Sequence, residues 1–217
     1  LRSWEICRSA VQKGNGGVEM AGSERRAVFF DLQGTLGGEG LGDVRDFELY
    51  PFAADAVRLV NESGFLAIIM TNQSHIGKGL FSYQEYEERM SDIKASLEQQ
   101  GAFVDAVYCC PHTRDDDCDC KKPLPGLVER AVRDSGINVS ESYVIGDMGA
   151  ADMKLAVICG AKGILVLTGV GKGSMREFRH TWAEVEPVYI GKDVLEAVEW
   201  ILWCETDSSS KALWPRL

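Results

Sequence analysis

Short apolar runs alternate along the chain with longer stretches in which apolar residues recur every three or four positions. The runs fall at 27–30 (Ala-Val-Phe-Phe), 65–71, 102–109, 141–147, 162–167 and 188–190. Runs this short, bounded by glycine, proline and polar residues, predict buried strands. The stretches between them predict helices at 51–63, 83–100, 123–135, 148–159 and 191–203. Ala53, Ala56, Val57 and Val60 would form the inner face of the first helix, and Val194, Leu195, Val198 and Leu202 that of the last. Gly64 and Gly101 are placed to stop the helices they follow. Strands alternating with helices predict an α/β fold: a Rossmann-like, doubly wound parallel sheet with helices on both faces.

The predicted strand ends carry the polar chemistry. Asp31 closes the first run, and Gly34 then lets the chain turn. Thr71-Asn72-Gln73-Ser74 closes the second run with hydroxyls and amides suited to phosphate oxygens. Lys121-Lys122 precedes a stiff Pro-x-Pro-Gly turn, and Asp147 closes the fourth run. Each has an ordinary reading as well: a turn-capping acid, a polar turn, a solvated basic pair. Together they converge on one rim, because open α/β sheets bind ligands beyond the carboxyl ends of their strands. Two acids, a hydroxyl and a lysine suit phosphoryl transfer. The acids would hold Mg²⁺, one acid would attack phosphorus, and the lysine and hydroxyl would balance charge on the phosphoryl oxygens.

A second cluster lies between the third strand and the lysines. Cys110, His112, Cys118 and Cys120 place three sulfurs and an imidazole within eleven residues, which suits a tetrahedral Cys₃His zinc site. Zinc there would fold an otherwise charged loop. Cys109 is expected to be buried outside the group.

Composition narrows the function classes. The 217 residues carry a formal net charge of −10 and are 45% hydrophobic. That acidic balance argues against a general nucleic-acid binder, which would need a basic face, and no apolar run approaches the length of a membrane span. An anionic substrate would need cations concentrated locally. Residues 1–24 read as a flexible leader without a secretory apolar core, 25–204 as one domain and 205–217 as a fraying tail. These features predict a cytoplasmic protein, a monomer, acting on a small phosphorylated metabolite. Glycines cluster at 36–42 and again at 168–173, predicting two mobile loops beside the site.

The motifs also resemble a known family. Asp-x-x-Gly-Thr at 31–35, Thr-Asn-Gln-Ser at 71–74, Lys-Pro-x-Pro-Gly at 122–126 and Gly-Asp at 146–147 resemble the four motifs of haloacid dehalogenase superfamily phosphatases. The combination with Cys-x-His…Cys-x-Cys is similar to the branch holding D-glycero-D-manno-heptose 1,7-bisphosphate 7-phosphatase and the histidinol-phosphatase domain. The resemblance implies that Asp31 is the nucleophile and that Asp31, the Gln33 carbonyl and Asp147 bind Mg²⁺. It implies phosphoryl contacts from Thr71 and Lys122, substrate contacts from Asn72, Gln73, Ser74 and Lys121, structural zinc on Cys110, His112, Cys118 and Cys120, and a minimal cap.

Three departures stand out. Gln33 replaces the family's acid–base aspartate, and an amide cannot protonate a leaving group. Asp147 and Asp152 are one residue further apart than the usual pair, so the resemblance does not decide whether Asp152 joins the implied metal shell. Met148 stands where the heptose enzyme has a lysine, and His75 where a glycine is usual. Two readings follow: a Mg²⁺-dependent phosphatase weakened by Gln33, or a phosphate-ligand binding protein that kept the fold.

Overall fold

The computed structural model describes residues 25–206. The leader expected at 1–24 and the end of the expected tail, 207–217, lie outside the described residues.

Six strands form one parallel sheet: β1 (Ala27–Phe30), β2 (Leu66–Asn72), β3 (Ala106–Cys110), β4 (Tyr143–Gly146), β5 (Lys162–Val166) and β6 (Tyr189–Gly191). Their spatial order is β3-β2-β1-β4-β5-β6, with every pairing parallel. This is the doubly wound arrangement expected from the alternating pattern. The strand order reverses between β1 and β4, and such a reversal opens a crevice at the carboxyl ends. Asp31 and Asp147 each follow one of these two strands.

The helices are α1 (Ala53–Glu62), α2 (Ser74–Gly77), α3 (Tyr83–Glu98), α4 (Gly126–Ser135), α5 (Lys154–Cys159), α6 (Gly171–Met175) and α7 (Val194–Thr206). Side chains of a strand point alternately to its two faces, and β1 shows the result. Val28 and Phe30 enter a core shared with α1, α3 and α7, while Ala27 and Phe29 enter a second core with α4 and α5. On the first core, α1 presents the face that the spacing predicts, Ala53, Ala56, Val57 and Val60. Ser82 begins α3 with a capping box, its hydroxyl accepting from the Glu85 N–H while the Glu85 carboxylate accepts from the Ser82 N–H.

Several boundaries differ from expectation. β3 starts at Ala106 rather than at 102, because Asp105 turns its carboxylate onto the Ala67 N–H at 2.7 Å and anchors the strand entrance. The inner face of α7 is Val194, Ala197, Val198 and Ile201; Leu195 and Leu202 are only half-buried. α7 also continues to Thr206, past the expected end, where the Glu205 carboxylate pairs with Arg26 and accepts from the Tyr143 hydroxyl at 2.8 Å. The glycine-rich stretch at 36–42 is fastened rather than loose: Gly34 N–H donates to the Gly37 carbonyl at 2.7 Å, and the Tyr50 hydroxyl to that of Gly38 at 2.7 Å. No helix among the described residues is long and apolar enough to cross a membrane.

Candidate active site

The end of β1 delivers Asp31 to the reversal point, its N–H held by the Ile145 carbonyl of β4 at 2.9 Å. Lys122 reaches the same place from the start of the Pro-x-Pro-Gly turn. Its ammonium donates to Asp31 at 2.6 Å and to Asp152 at 2.7 Å. Asp147 completes the group, and the three acids each bring a carboxylate oxygen within 4.8 Å of the others. The side chains of Lys122 and Asp152 are 3% and 2% exposed, that of Asp31 12%. Asp31 is therefore the member of the Asp31–Lys122–Asp152 chain that faces an incoming molecule.

The electrostatics of this cluster call for a cation. Burial pushes the Asp31 carboxyl up to about 6, with Lys122 opposing the rise. Burial, then the charges of Asp31 and Asp152, push Asp147 up to about 8. Burial works against the Lys122 charge, but the carboxylates of Asp152 and Asp31 outweigh it and raise the ammonium above its usual range. One oxygen of Asp147 accepts from the Val170 N–H at 2.8 Å; the other is buried without a hydrogen-bond partner. A bare buried carboxylate oxygen is costly unless something positive approaches it. Three carboxylates against one ammonium leave two negative charges in excess. A hard divalent cation such as Mg²⁺, which takes oxygen ligands, fits that donor set.

Asp152 belongs to this cluster, which its spacing in the sequence left open. The residues after Asp147 form a π-helical turn, Gly149–Met153, before α5 takes over with α-helical geometry. The wider turn absorbs the extra residue and returns Asp152 to the face of Asp147. Asp152 is buried, accepts from Lys122 with one oxygen and from the Met148 N–H with the other at 3.1 Å.

The amides and hydroxyls after β2 also have defined tasks. Thr71 is buried at the end of β2, where its hydroxyl accepts from the Gln73 amide at 2.8 Å and keeps its own proton to donate. Gln73 also donates to the Gln33 side-chain oxygen at 2.7 Å, and the Gln33 amide donates in turn to the Gly42 carbonyl at 2.5 Å. Gln33 is thus fastened at both ends. Asn72 is engaged with the lysine backbone: its amide oxygen accepts from the Lys122 N–H at 3.0 Å and its nitrogen donates to the Lys122 carbonyl at 3.2 Å. It braces that backbone from both sides. Lys121 donates to Ser74 Oγ and to the His112 carbonyl at 3.1 Å, joining α2 to the cysteine loop.

In that loop the four expected groups converge. His112 Nδ1 lies 3.2 Å from Cys120 Sγ and 3.6 Å from Cys110 Sγ, and the Cys110 and Cys118 sulfurs are 4.0 Å apart. A tetrahedral zinc with bonds of about 2.3 Å to sulfur and about 2.0–2.1 Å to nitrogen spaces its ligands about 3.5–3.8 Å apart. The donor set fits that ion. The hydrogen bond with Cys110, helped by His112, holds the Cys120 thiol down to about 5, and the same contact pushes Cys110 up. Cys109 is buried outside the group, as expected.

Glycine at two positions permits the close packing around Asp147. Gly34 (φ 82°) and Gly169 (φ 51°) press against the Asp147 carboxylate, and a Cβ on either would run into it. The second expected mobile loop, 168–173, is therefore built into the site. Thr168 donates its hydroxyl to the Gly34 carbonyl at 2.6 Å, and α6 begins two residues after Gly169.

Comparison with known proteins agrees with this geometry. The family model described as HAD-hydrolase-like matches residues 119–197. A probable D-glycero-D-manno-heptose-1,7-bisphosphate 7-phosphatase of Thermoplasma volcanium is 32% identical over 133 residues, which are 60% of this chain and 91% of that protein. The chain belongs to this family of phosphatases. A D-glycero-β-D-manno-heptose-1,7-bisphosphate 7-phosphatase of Neisseria meningitidis is 33% identical over 135 residues, 62% of this chain and 72% of that protein. Among solved structures, the D,D-heptose 1,7-bisphosphate phosphatase of B. bronchiseptica, complexed with magnesium and phosphate, shares the fold. Its TM-score is 0.74 at 24% identity, covering 82% of this chain and 98% of that one.

Proposed function

We propose that the protein hydrolyses a phosphate monoester of a small, sugar-like metabolite through a phosphorylated Asp31. The carrying observation is the placement of Asp31, the solvent-facing acid of a buried cluster, at 2.6 Å from Lys122. The Asp31 carboxylate would form a new bond to phosphorus as the ester oxygen leaves. Lys122 and the Thr71 hydroxyl would hold the phosphoryl oxygens as their charge grows. Asp31, the Gln33 carbonyl, Asp147 and, by its place in the cluster, Asp152 would hold Mg²⁺, which when bound supplies positive charge for the phosphoryl oxygens. Zinc on Cys110, His112, Cys118 and Cys120 would fix the loop that carries Lys121 and Lys122. The relatives' names support a phosphorylated sugar as the substrate class, with Ser74 and Lys121 at the entrance, whereas Met148 and His75 speak against assigning the heptose itself.

Gln33 sets the limit on turnover. Its amide can neither protonate the leaving oxygen nor activate water against the phosphorylated Asp31. Because both ends of that amide are already engaged, a second reading is also supported: a protein that binds a phosphate ligand and turns it over slowly or not at all. The test is incubation with an aryl phosphate and Mg²⁺, followed by rapid quenching and mass spectrometry of the peptide containing Asp31. The expected result is an added phosphoryl group on Asp31 and no turnover in Asp31→Asn. Native turnover by Asp31→Asn would overturn the mechanism. Phosphate binding with neither phosphoryl-Asp31 nor turnover would establish the second reading.

A further inference from the structure

The five-residue spacing from Asp147 to Asp152 raises a physical difficulty. Met148 is the cap of the turn, and a carboxylate that reaches back to a cap N–H, as that of Asp152 does, ordinarily stands three residues on, at 151, an alanine, rather than at 152. Only the wider π-turn at Gly149–Met153 returns the carboxylate. A π-turn is rare and is found most often at functional sites. The turn has backbone hydrogen bonds of its own, among them Asp152 N–H to the Met148 carbonyl at 2.7 Å, so contacts from outside decide between it and the α-helical alternative.

The structure shows what touches it. The Gly149 N–H, one of the donors a helix start leaves unsatisfied, donates to Ser174 Oγ at 2.8 Å in a buried contact. The carbonyl of the same Ser174 accepts from Trp182 Nε1 at 3.0 Å, also buried. The Trp182 ring is fully buried and lies against Gly149 so closely that a Cβ there would enter it. The ring shares a small buried cluster with Met153, the last residue of the π-turn, and with Leu165 and Val185. One side chain thus lies against the start of the turn and shares its core with the end. The stretch leading to it grips the rest of the site, through Thr168 on the Gly34 carbonyl and the Val170 N–H on Asp147.

We propose that Ser174 and Trp182 are positioning residues that hold the 149–153 turn in its π form and so keep Asp152 in the carboxylate cluster. They touch no substrate; they act through Gly149 and Met153. The proposal rests on the reading of Asp31, Asp147 and Asp152 as a Mg²⁺ site. If the turn relaxes, Ala151 faces the site, Asp152 withdraws from Lys122, and the cation loses a ligand.

The experiment is calorimetric titration of the full-length chain with Mg²⁺ alone, comparing the parent with Ser174→Ala and Trp182→Phe. Loss of a group that orients a ligand typically weakens metal binding about 10–100-fold, and that is the expected result for both variants. Ile201→Val, a core change in α7 far from the turn, serves as the control for general destabilisation and should bind as the parent does. A chain that also lacks Ala151 has the spacing an α-turn requires, so in that background Ser174→Ala should leave Mg²⁺ affinity unchanged. The single substitutions decide the matter if the shortened chain does not fold. Parent-like Mg²⁺ affinity in folded Ser174→Ala and Trp182→Phe would overturn the proposal while leaving the metal site standing. Absence of Mg²⁺ binding by the parent would overturn the metal site and the proposal with it.

Discussion

The side-chain oxygen of Gln33 accepts a hydrogen bond from the Gln73 amide at 2.7 Å, and this contact fixes which end of Gln33 faces the Gly42 carbonyl. An aspartate at position 33 could keep the bond from Gln73. It could approach the Gly42 carbonyl only in its protonated form, which is the form that donates to a leaving group. Gln33→Asp should therefore raise steady-state hydrolysis, by up to about 10²–10⁴. The gain should be larger for alkyl phosphates than for aryl phosphates, whose leaving groups need little protonation. In the parent, phosphoryl-Asp31 should accumulate as a burst before a slow steady state. Quenched time courses with both ester types measure this; a linear course and no gain from Gln33→Asp would show that another group supplies the base.

Lys122 ties two buried acids together, so its removal should be felt in stability as well as activity. Breaking a buried ion pair from one side typically costs about 3–5 kcal/mol. Lys122→Met should show a loss of that order in urea denaturation of metal-free protein. Adding Asp152→Asn should recover part of it, because the stranded charge is removed. A loss below about 1 kcal/mol, the range of exposed pairs, would contradict the burial described for this site.

The acid cluster also predicts an unusual pH dependence. Asp31 and Asp147 sit near 6 and 8 in the folded chain, against 3.8 for an ordinary aspartate. Acids with raised values bind more protons folded than unfolded, so their contribution to stability is fully present below about 3.8 and lost as pH rises through about 6 and 8. Metal-free protein should therefore lose stability from pH 4 towards pH 8, and Mg²⁺ should counter the loss by stabilising the ionised form. Thermal melts across that range, with and without Mg²⁺, read this directly. A metal-free chain whose stability rises steadily with pH would refute it.

Zinc removal should act at a distance. Elemental analysis should find about one zinc per chain. Cys118→Ser should lower that occupancy and also weaken binding of inorganic phosphate, because Cys120 is followed directly by the two lysines. Ser82→Ala offers the contrasting case. It removes the cap of α3, should cost about 1 kcal/mol, and should leave zinc content and phosphate binding as they were.

Much of this arrangement is readable in the sequence, for physical reasons that also mark where reading stops. Phe29-Phe30-Asp31 shows a strand ending because burial on both sheet faces demands a continuous apolar run, and a charge ends it. Cys110, His112, Cys118 and Cys120 are recognisable because few other arrangements bring such groups so close. The place of Asp152 stays open in the sequence because its spacing is one residue longer than the usual pair, and nothing in Gly-Ala-Ala announces a π-turn. Its support comes from Ser174 and Trp182, which no local pattern connects to it. Asn72 reads as a ligand contact from its neighbours; that its amide also braces Lys122 depends on a turn 50 residues later. The small residues at 168–173 suggest mobility from composition alone. In the fold they admit the chain into a crowded site, and the Thr168 hydroxyl fastens it there.

The packing of Gly34 and Gly169 around Asp147 has a consequence for mutational maps of this protein. Neither glycine offers a functional group, yet a methyl at either position would collide with the Asp147 carboxylate, and both backbones hold a positive φ that other residues adopt only with strain. A saturation library scored on activity would mark positions 34 and 169 as no more tolerant than Asp147 itself. Scored on abundance, the same two positions would separate from Asp147, because a misplaced backbone harms folding while a missing carboxylate relieves buried charge. Comparing the two scores would divide the residues that shape this site from those that carry its charge.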